Sequence, residues 1–190
     1  MKIGKIFIGL DFILILSLLY IIDTEKVLHL ALAAAIIHEL GHIAAIKLCG
    51  GRIDTVCLRA FGAQINMKLY PMLSYKREII IALAGPFAGA IFGALSSLCG
   101  NYTLAGFNIV LTVFNLLPAL PLDGGRAVKF LALLLFDIRW QSIISKTLNG
   151  IAALAIILLG LYINIEVGIV PSLLIFCTFT ATNFLKELFY

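Results

Sequence analysis

Ala33-Ala34-Ala35-Ile36-Ile37-His38-Glu39-Leu40-Gly41-His42 runs from small and branched apolar residues straight into the pattern H-E-x-x-H. On a helix, residues four apart share one face, so both imidazoles can reach a single zinc ion. The glutamate between them is placed to take a proton from water activated at that ion. The pattern predicts a metal-dependent hydrolase, and the apolar run predicts that it works inside a membrane. The structural alternative is a pair of packing histidines on a buried helix. Against it stands the scarcity of the residues involved, since the chain holds only 3 histidines.

Working outward, 62% of the 190 residues are hydrophobic and only 13% are charged. Soluble domains are nearer half apolar and a quarter charged, so a soluble enzyme and a nucleic-acid-binding protein are both excluded as readings. An N-terminal lysine and apolar run is present without a small-residue cleavage site, and it is expected to stay in the mature chain. Cys49, Cys57, Cys99 and Cys177 form no C-x-x-C pair. They read as small apolar residues.

A membrane-crossing helix needs about 20 mostly apolar residues. Residues 6–22, 27–48, 78–98, 104–121, 148–163 and 168–185 fit, which predicts an all-α polytopic membrane protein of about six transmembrane helices. Lys26 lies between the first two spans, and the other 13 of the 14 basic residues fall where a six-span chain puts cytoplasmic segments. The positive-inside rule then places both termini in the cytoplasm. The first span has a second reading, which is preferred: Lys2 to Leu10 as a short strand and Asp11 capping a helix from Phe12. His38 and His42 lie about 15 and about 9 Å from the cytoplasmic end of their helix, at 1.5 Å per residue. Polar groups at that depth are costly unless they bind something.

Catalytic zinc usually takes three protein ligands and leaves one position open. His29 is nine residues before His38, too far along the helix axis to join. The third ligand is then a carboxylate or, less naturally, a cysteine. Asp123 stands out in Asn115-Leu116-Leu117-Pro118-Ala119-Leu120-Pro121-Leu122-Asp123-Gly124-Gly125. Pro118 and Pro121 interrupt the helix, and broken backbone is tolerated in a membrane where it lines a wet cavity. Asn115 reads either as a partner for a substrate carbonyl or as a partner for backbone freed by the prolines.

Residues 52–70 are too polar to span. Ala63, Ile65, Met67 and Leu69 alternate with Gln64, Asn66, Lys68 and Tyr70, and Phe61-Gly62 supplies a turn. This predicts a β-hairpin, either a small structural sheet or an edge offered to an extended substrate. Gly85, Gly89 and Gly93, at four-residue spacing, read as a helix-packing face with no chemistry. Residues 126–136 read as an interfacial helix leading to the fifth span.

The combination of H-E-x-x-H, Leu83-Ala84-Gly85-Pro86, the Phe61-Gly62 hairpin and F-N-L-L-P-A-L-P-L-D-G-G-R at 114–126 resembles the site-2 family of intramembrane zinc metalloproteases. The resemblance covers nearly the whole chain, and the six-span layout is most similar to the sporulation subgroup, from spore-forming bacteria. It implies that His38, His42 and Asp123 hold one zinc ion and that Glu39 is the catalytic acid and base. It implies further that Asn115, Pro118 and Pro121 border the substrate cleft, with Phe61 and Gly62 on the substrate-binding hairpin. The chain departs from that pattern in carrying neither a C-terminal CBS domain nor a PDZ insertion.

Together these readings describe residues 1–190 as one intramembrane metalloprotease domain, with a catalytic core over about 27–125, the hairpin at 52–70 and extra spans over 148–185. The expected partners are a membrane-tethered protein substrate, membrane proteins that inhibit or regulate it, and the lipid bilayer, with no nucleic acid. The expected setting is a bacterial cell membrane, with the site opening toward the cytoplasm and releasing a regulator such as a pro-sigma factor. The rival classes are a divalent-metal transporter, which needs metal residues on several helices along a path, and an inactive relative that only sequesters a partner.

Overall fold

A computed structural model describes residues 2–3, 6–59, 62–67, 73–167 and 178. Two short strands, β1 (Lys2–Ile3) and β2 (Ile6–Ile8), lead into helix α1 (Leu10–Ile22). Helix α2 (Leu28–Leu48) carries the H-E-x-x-H motif, and strands β3 (Ile53–Arg59) and β4 (Gly62–Met67) follow it. Helices α3 (Tyr75–Leu98), α4 (Tyr102–Asn115), α5 (Asp123–Leu135) and α6 (Ile138–Val167) complete the order.

Local chemistry sets the main boundaries. The Asp23 carboxylate accepts hydrogen bonds from the backbone N–H groups of Val27 and Leu28, both at 2.9 Å, and so satisfies donors at the start of α2. The turn from α3 to α4 needs Gly100 at φ +79°, and Asn101 N–H then closes onto the Ser96 carbonyl at 2.9 Å. The Asn101 side chain in turn accepts from Leu104 N–H at 3.1 Å, so one residue ends a helix and caps the next.

Helix α3 is central, packed against α2, α4 and α5. Its buried residues, Ile81, Ala82, Gly85, Pro86, Gly89, Gly93 and Ser96, recur at three- and four-residue steps along one face. This is the small-residue packing face expected from the sequence, and it lets neighbouring backbones come close. A Cβ on Gly41 would lie 2.6 Å from the Ala84 carbonyl oxygen, which measures how tightly α2 sits on α3.

The four strands form one sheet in the order β1-β2-β3-β4, with β2 parallel to β3 and the other pairs antiparallel. The expected hairpin is therefore half of a larger sheet. Ala63, Ile65 and Met67 face inward and Gln64 and Asn66 outward, as their alternation predicted. Ile53, Ile65 and Met67 pack on Ala45, Ile46 and Ile81, which seats the sheet across α2 and α3.

Three described helices, α2, α3 and α6, are long and apolar enough to cross a membrane. Large apolar side chains such as Leu18, Phe87, Val110 and Leu158 are exposed on the helices, as lipid contact requires. Three of the six expected spans differ from expectation or lie beyond view. Residues 6–22 are a strand and a 13-residue helix, the preferred strand reading. Asp11 sits in the first turn of α1 and not at its cap, which is Gly9, and it pairs with Arg59 at 3.7 Å. Residues 104–121 are not one span: α4 ends at Asn115 after 14 residues. At 1.5 Å per residue that is about 21 Å, short of the ~30 Å hydrocarbon core. Pro118 and Pro121 explain the break, and the Leu120–Pro121 peptide is cis. The sixth expected span, 168–185, lies outside the described residues apart from 178.

Gly41→Ala is expected to force α2 and α3 apart and to cost about 1–3 kcal/mol, the usual penalty of overpacking. Leu40→Ala, at an exposed position beside it, is the matched control. Melting in detergent checks this: a lowered midpoint for the glycine variant alone is the expected result.

Candidate metal centre

Three buried polar side chains converge from two helices. His38 and His42 come from adjacent turns of α2, each 4% exposed, and Asp123 comes from the first turn of α5, 7% exposed. His38 Nε2 lies 2.9 Å from Asp123 Oδ2, His42 Nε2 lies 3.1 Å from the same oxygen, and the two Nε2 atoms are 3.2 Å apart. The rings meet edge to face, at 77°.

One hydrogen bond sets where the lone pairs point. His42 Nδ1 lies 2.7 Å from the Ile81 carbonyl, and a carbonyl only accepts. His42 therefore carries its proton on Nδ1, and neutral His42 turns the lone pair of Nε2 toward a carboxylate oxygen. Lone pair facing lone pair at 3.1 Å is repulsive unless a cation or a proton sits between them. Ligands at 2.0–2.1 Å in a tetrahedral site are separated by about 3.3 Å, close to the three distances observed. Two imidazole nitrogens and one carboxylate oxygen form a donor set that suits zinc and leaves a fourth position open. Among the described residues this is the one group of three or more such side chains that could hold a metal ion. His38 Nδ1 is buried with no hydrogen-bond partner among the described residues, so no protein group sets its tautomer as Ile81 does for His42.

Two packing details make the convergence possible. A Cβ on Gly85 would collide with His42 Nε2 and would approach His38 Nε2 at 2.8 Å. Only a residue without a side chain lets α3 pass so near the imidazoles. Gly85 thus shapes the site directly, beyond the pure packing role read from its spacing. On the other flank, a Cβ on Gly124 would meet the Leu116 carbonyl, and one on Gly125 would lie 2.6 Å from the Ala119 carbonyl. The Asp-Gly-Gly start of α5 is folded against the broken segment that precedes it.

Glu39 is half-buried beside this group, in electrostatic reach of His42, His38 and Asp123. The Ala63 backbone N–H is likewise in electrostatic reach of its carboxylate. That proximity joins the motif to β4, the outermost strand of the sheet. Leu58 pairs with Ala63, and Arg59 with Gly62. The Leu58 carbonyl is taken by Gly9 N–H at 2.9 Å on the β2 side, so the Leu58–Ala63 pair is not a hydrogen-bonded one and Ala63 N–H points away from β3. The period of two then directs the Ile65 backbone groups to the same open edge.

The remaining sequence candidates lie around this centre. Asn115 is half-buried at the end of α4, and its amide donates to the Leu111 carbonyl at 3.0 Å, one turn back in its own helix. Pro118 is half-buried and Pro121 exposed in the segment between α4 and α5. Gly62 is exposed at the hairpin end with φ +118°, and Phe61 lies outside the described residues. His29 is exposed and apart from the group. One contributor went unseen in the sequence: the buried Asn149 of α6, whose side chain accepts from Leu120 N–H at 2.6 Å and ties the broken segment to α6. No motif flagged it; an asparagine inside an apolar helical run was the only available signal.

Gly85→Ala is expected to lose bound metal through collision with the imidazoles, whereas Gly106→Ala, where a Cβ meets nothing within 4 Å, is expected to keep it. Metal content of the purified variants checks the pair. Asn149→Leu leaves a buried N–H without its acceptor, and its expected cost is about 1–3 kcal/mol, read as a lower melting midpoint.

No protein-family model matches the chain. It is 29% identical over 159 residues to a zinc metalloprotease of Methanocaldococcus jannaschii, covering 77% of this chain and 46% of that one. It is 29% identical over 172 residues to stage IV sporulation protein FB of Bacillus subtilis, covering 85% and 58%. The chain thus spans about half the length of these curated relatives. A solved structure, the site-2 protease from Methanocaldococcus jannaschii, superposes with a TM-score of 0.69 at 25% identity, covering 98% of this chain and 93% of that one.

Proposed function

As a homologue of the zinc metalloproteases of the site-2 protease family, the chain carries the donor set of that chemistry at one point in its fold, and we propose that it is an intramembrane zinc endopeptidase. The observation that carries the reading is the meeting of His38, His42 and Asp123 with Glu39 beside them. His38, His42 and Asp123 would hold zinc, which when bound would supply Lewis acidity to a water molecule and to a peptide carbonyl. Glu39 accepts the proton of the attacking water and returns it to the leaving amine. The site lies within α2, a helix long enough to span, so the substrate is a membrane-tethered protein whose cut segment enters the bilayer region.

A membrane helix has to unwind before it is cut, and an unwound backbone needs partners. The open edge of β4 supplies them, in register with Glu39 through Ala63. The broken segment carrying Pro118 and Pro121, with Asn115 at its start, would border the substrate cleft, as the family resemblance implies. Gly62 lies at the hairpin end of the same edge strand. The basic residues between the spans argue for both termini in the cytoplasm and for cleavage near that face of a bacterial cell membrane. The likeness to a sporulation protein favours a role in sporulation; the released product in this reading is a regulator such as a pro-sigma factor, with membrane proteins as inhibitors.

Co-expression with membrane-tethered test substrates tests the reading. Wild type is expected to cleave, and Glu39→Gln to lose at least about 100-fold of the rate, in line with loss of a general base. Equal cleavage by the Gln variant sinks the mechanism. Zinc crossing proteoliposomes without cleavage points to the transporter class.

A further inference from the structure

Asp123 has two oxygens, and only one of them faces the imidazoles. Oδ2 makes both short contacts, to His38 Nε2 and His42 Nε2. Oδ1 points the other way, to a guanidinium nitrogen of Arg126 at 3.6 Å. Arg126 lies three residues further along α5, so the two side chains share a face one turn apart. We propose that Arg126 is a positioning residue: it holds Oδ1, so that Asp123 presents Oδ2 alone to the metal.

A carboxylate that ligates through one oxygen leaves the other oxygen's lone pairs to be satisfied, and a buried one has little water to turn to. Asp123 is such a group, with its side chain 10% exposed. The Arg126 side chain is 37% exposed, so its stem crosses the protein boundary while its head reaches the buried oxygen. From α3, Glu78 stands in electrostatic reach of the same guanidinium. Acids from two helices thus lie in reach of the one cation, Asp123 as an ion pair and Glu78 at longer range. A guanidinium is suited to this because it offers several donors in a fixed plane, whereas an ammonium offers a point charge.

This inference rests on the three-ligand metal site proposed above, and its test separates the two. The protein, Arg126→Gln and Arg126→Lys are purified in detergent, and zinc affinity is measured by chelator competition. The absorption spectrum of the cobalt-loaded proteins reports the ligand field. Arg126→Gln is expected to bind zinc about 10–100-fold more weakly, as loss of an outer-shell partner does, and to shift the cobalt bands. Arg126→Lys is expected to fall between the two. Wild-type affinity and an unshifted spectrum in Arg126→Gln overturn the proposal while leaving the metal site standing. Absence of zinc uptake by the parent protein overturns both. If Arg126→Gln does not fold, Arg126→Lys decides: intermediate affinity with shifted bands supports the role, and wild-type behaviour on both measures removes it.

Discussion

The His42 ring spans the gap between two helices, with Nδ1 on the Ile81 carbonyl of α3 and Nε2 directed at a carboxylate brought by α5. That arrangement demands that α2, α3 and α5 approach within a side chain's thickness of one another. The glycines answer the demand: Gly41 where α2 meets α3, Gly85 beneath the imidazoles, Gly124 and Gly125 where α5 turns away from the broken segment. The interior is built largely of alanine and glycine, with Ala34, Ala45, Ala82, Ala105 and Ala119 among its buried residues. Large side chains are displaced outward to the helix surfaces, the inverse of a soluble domain and the natural result when the solvent is as apolar as leucine.

The same constraint explains why the chain breaks where it does. Asp123 belongs to the first turn of a helix, a position that a continuous fourth span would have pointed elsewhere. Ending α4 at Asn115 and restarting at Asp123 re-aims the chain, and the backbone groups freed in between need partners. Asn149 supplies one of them from α6. The break is thus what brings the Asp123 carboxylate to the two histidines, supported by a helix that contributes none of the three.

The metal group was legible from sequence because its residues are chemically expensive where they lie. His38, His42 and Asp123 are polar groups in apolar surroundings, and their spacing and depth left few other uses. The β4 strand was legible for a similar reason, since its alternation is periodic. What escaped had no such signature. Gly85 looks like its neighbours Gly89 and Gly93, and only the third dimension shows that it alone faces the imidazoles. Asn149 acts on a residue 29 positions away. The strand expected over Lys2 to Leu10 is in fact two strands of two and three residues, too short for a period to show the division, and β3, the partner of the second, lies beyond two helices. The apolar run at 104–121 met the length of a span, and composition alone weighed it above the prolines that end it.

The parallel pairing of β2 with β3 carries a consequence for assembly. Ile6 to Ile8 wait for Val56 to Leu58, so the sheet closes only after α1 and α2 have been made. Chains emerge from the ribosome N-terminus first. Ala63, the neighbour of Glu39 on β4, is synthesised 24 residues after it. The two histidines are by then in place on their helix, but their carboxylate partner is synthesised 60 residues after Ala63. The order of synthesis therefore leaves the nascent chain with a glutamate and an open strand but an unfinished donor set. The group of two imidazoles and one carboxylate is therefore complete only once the first turn of α5 has been made, a dependence written into topology.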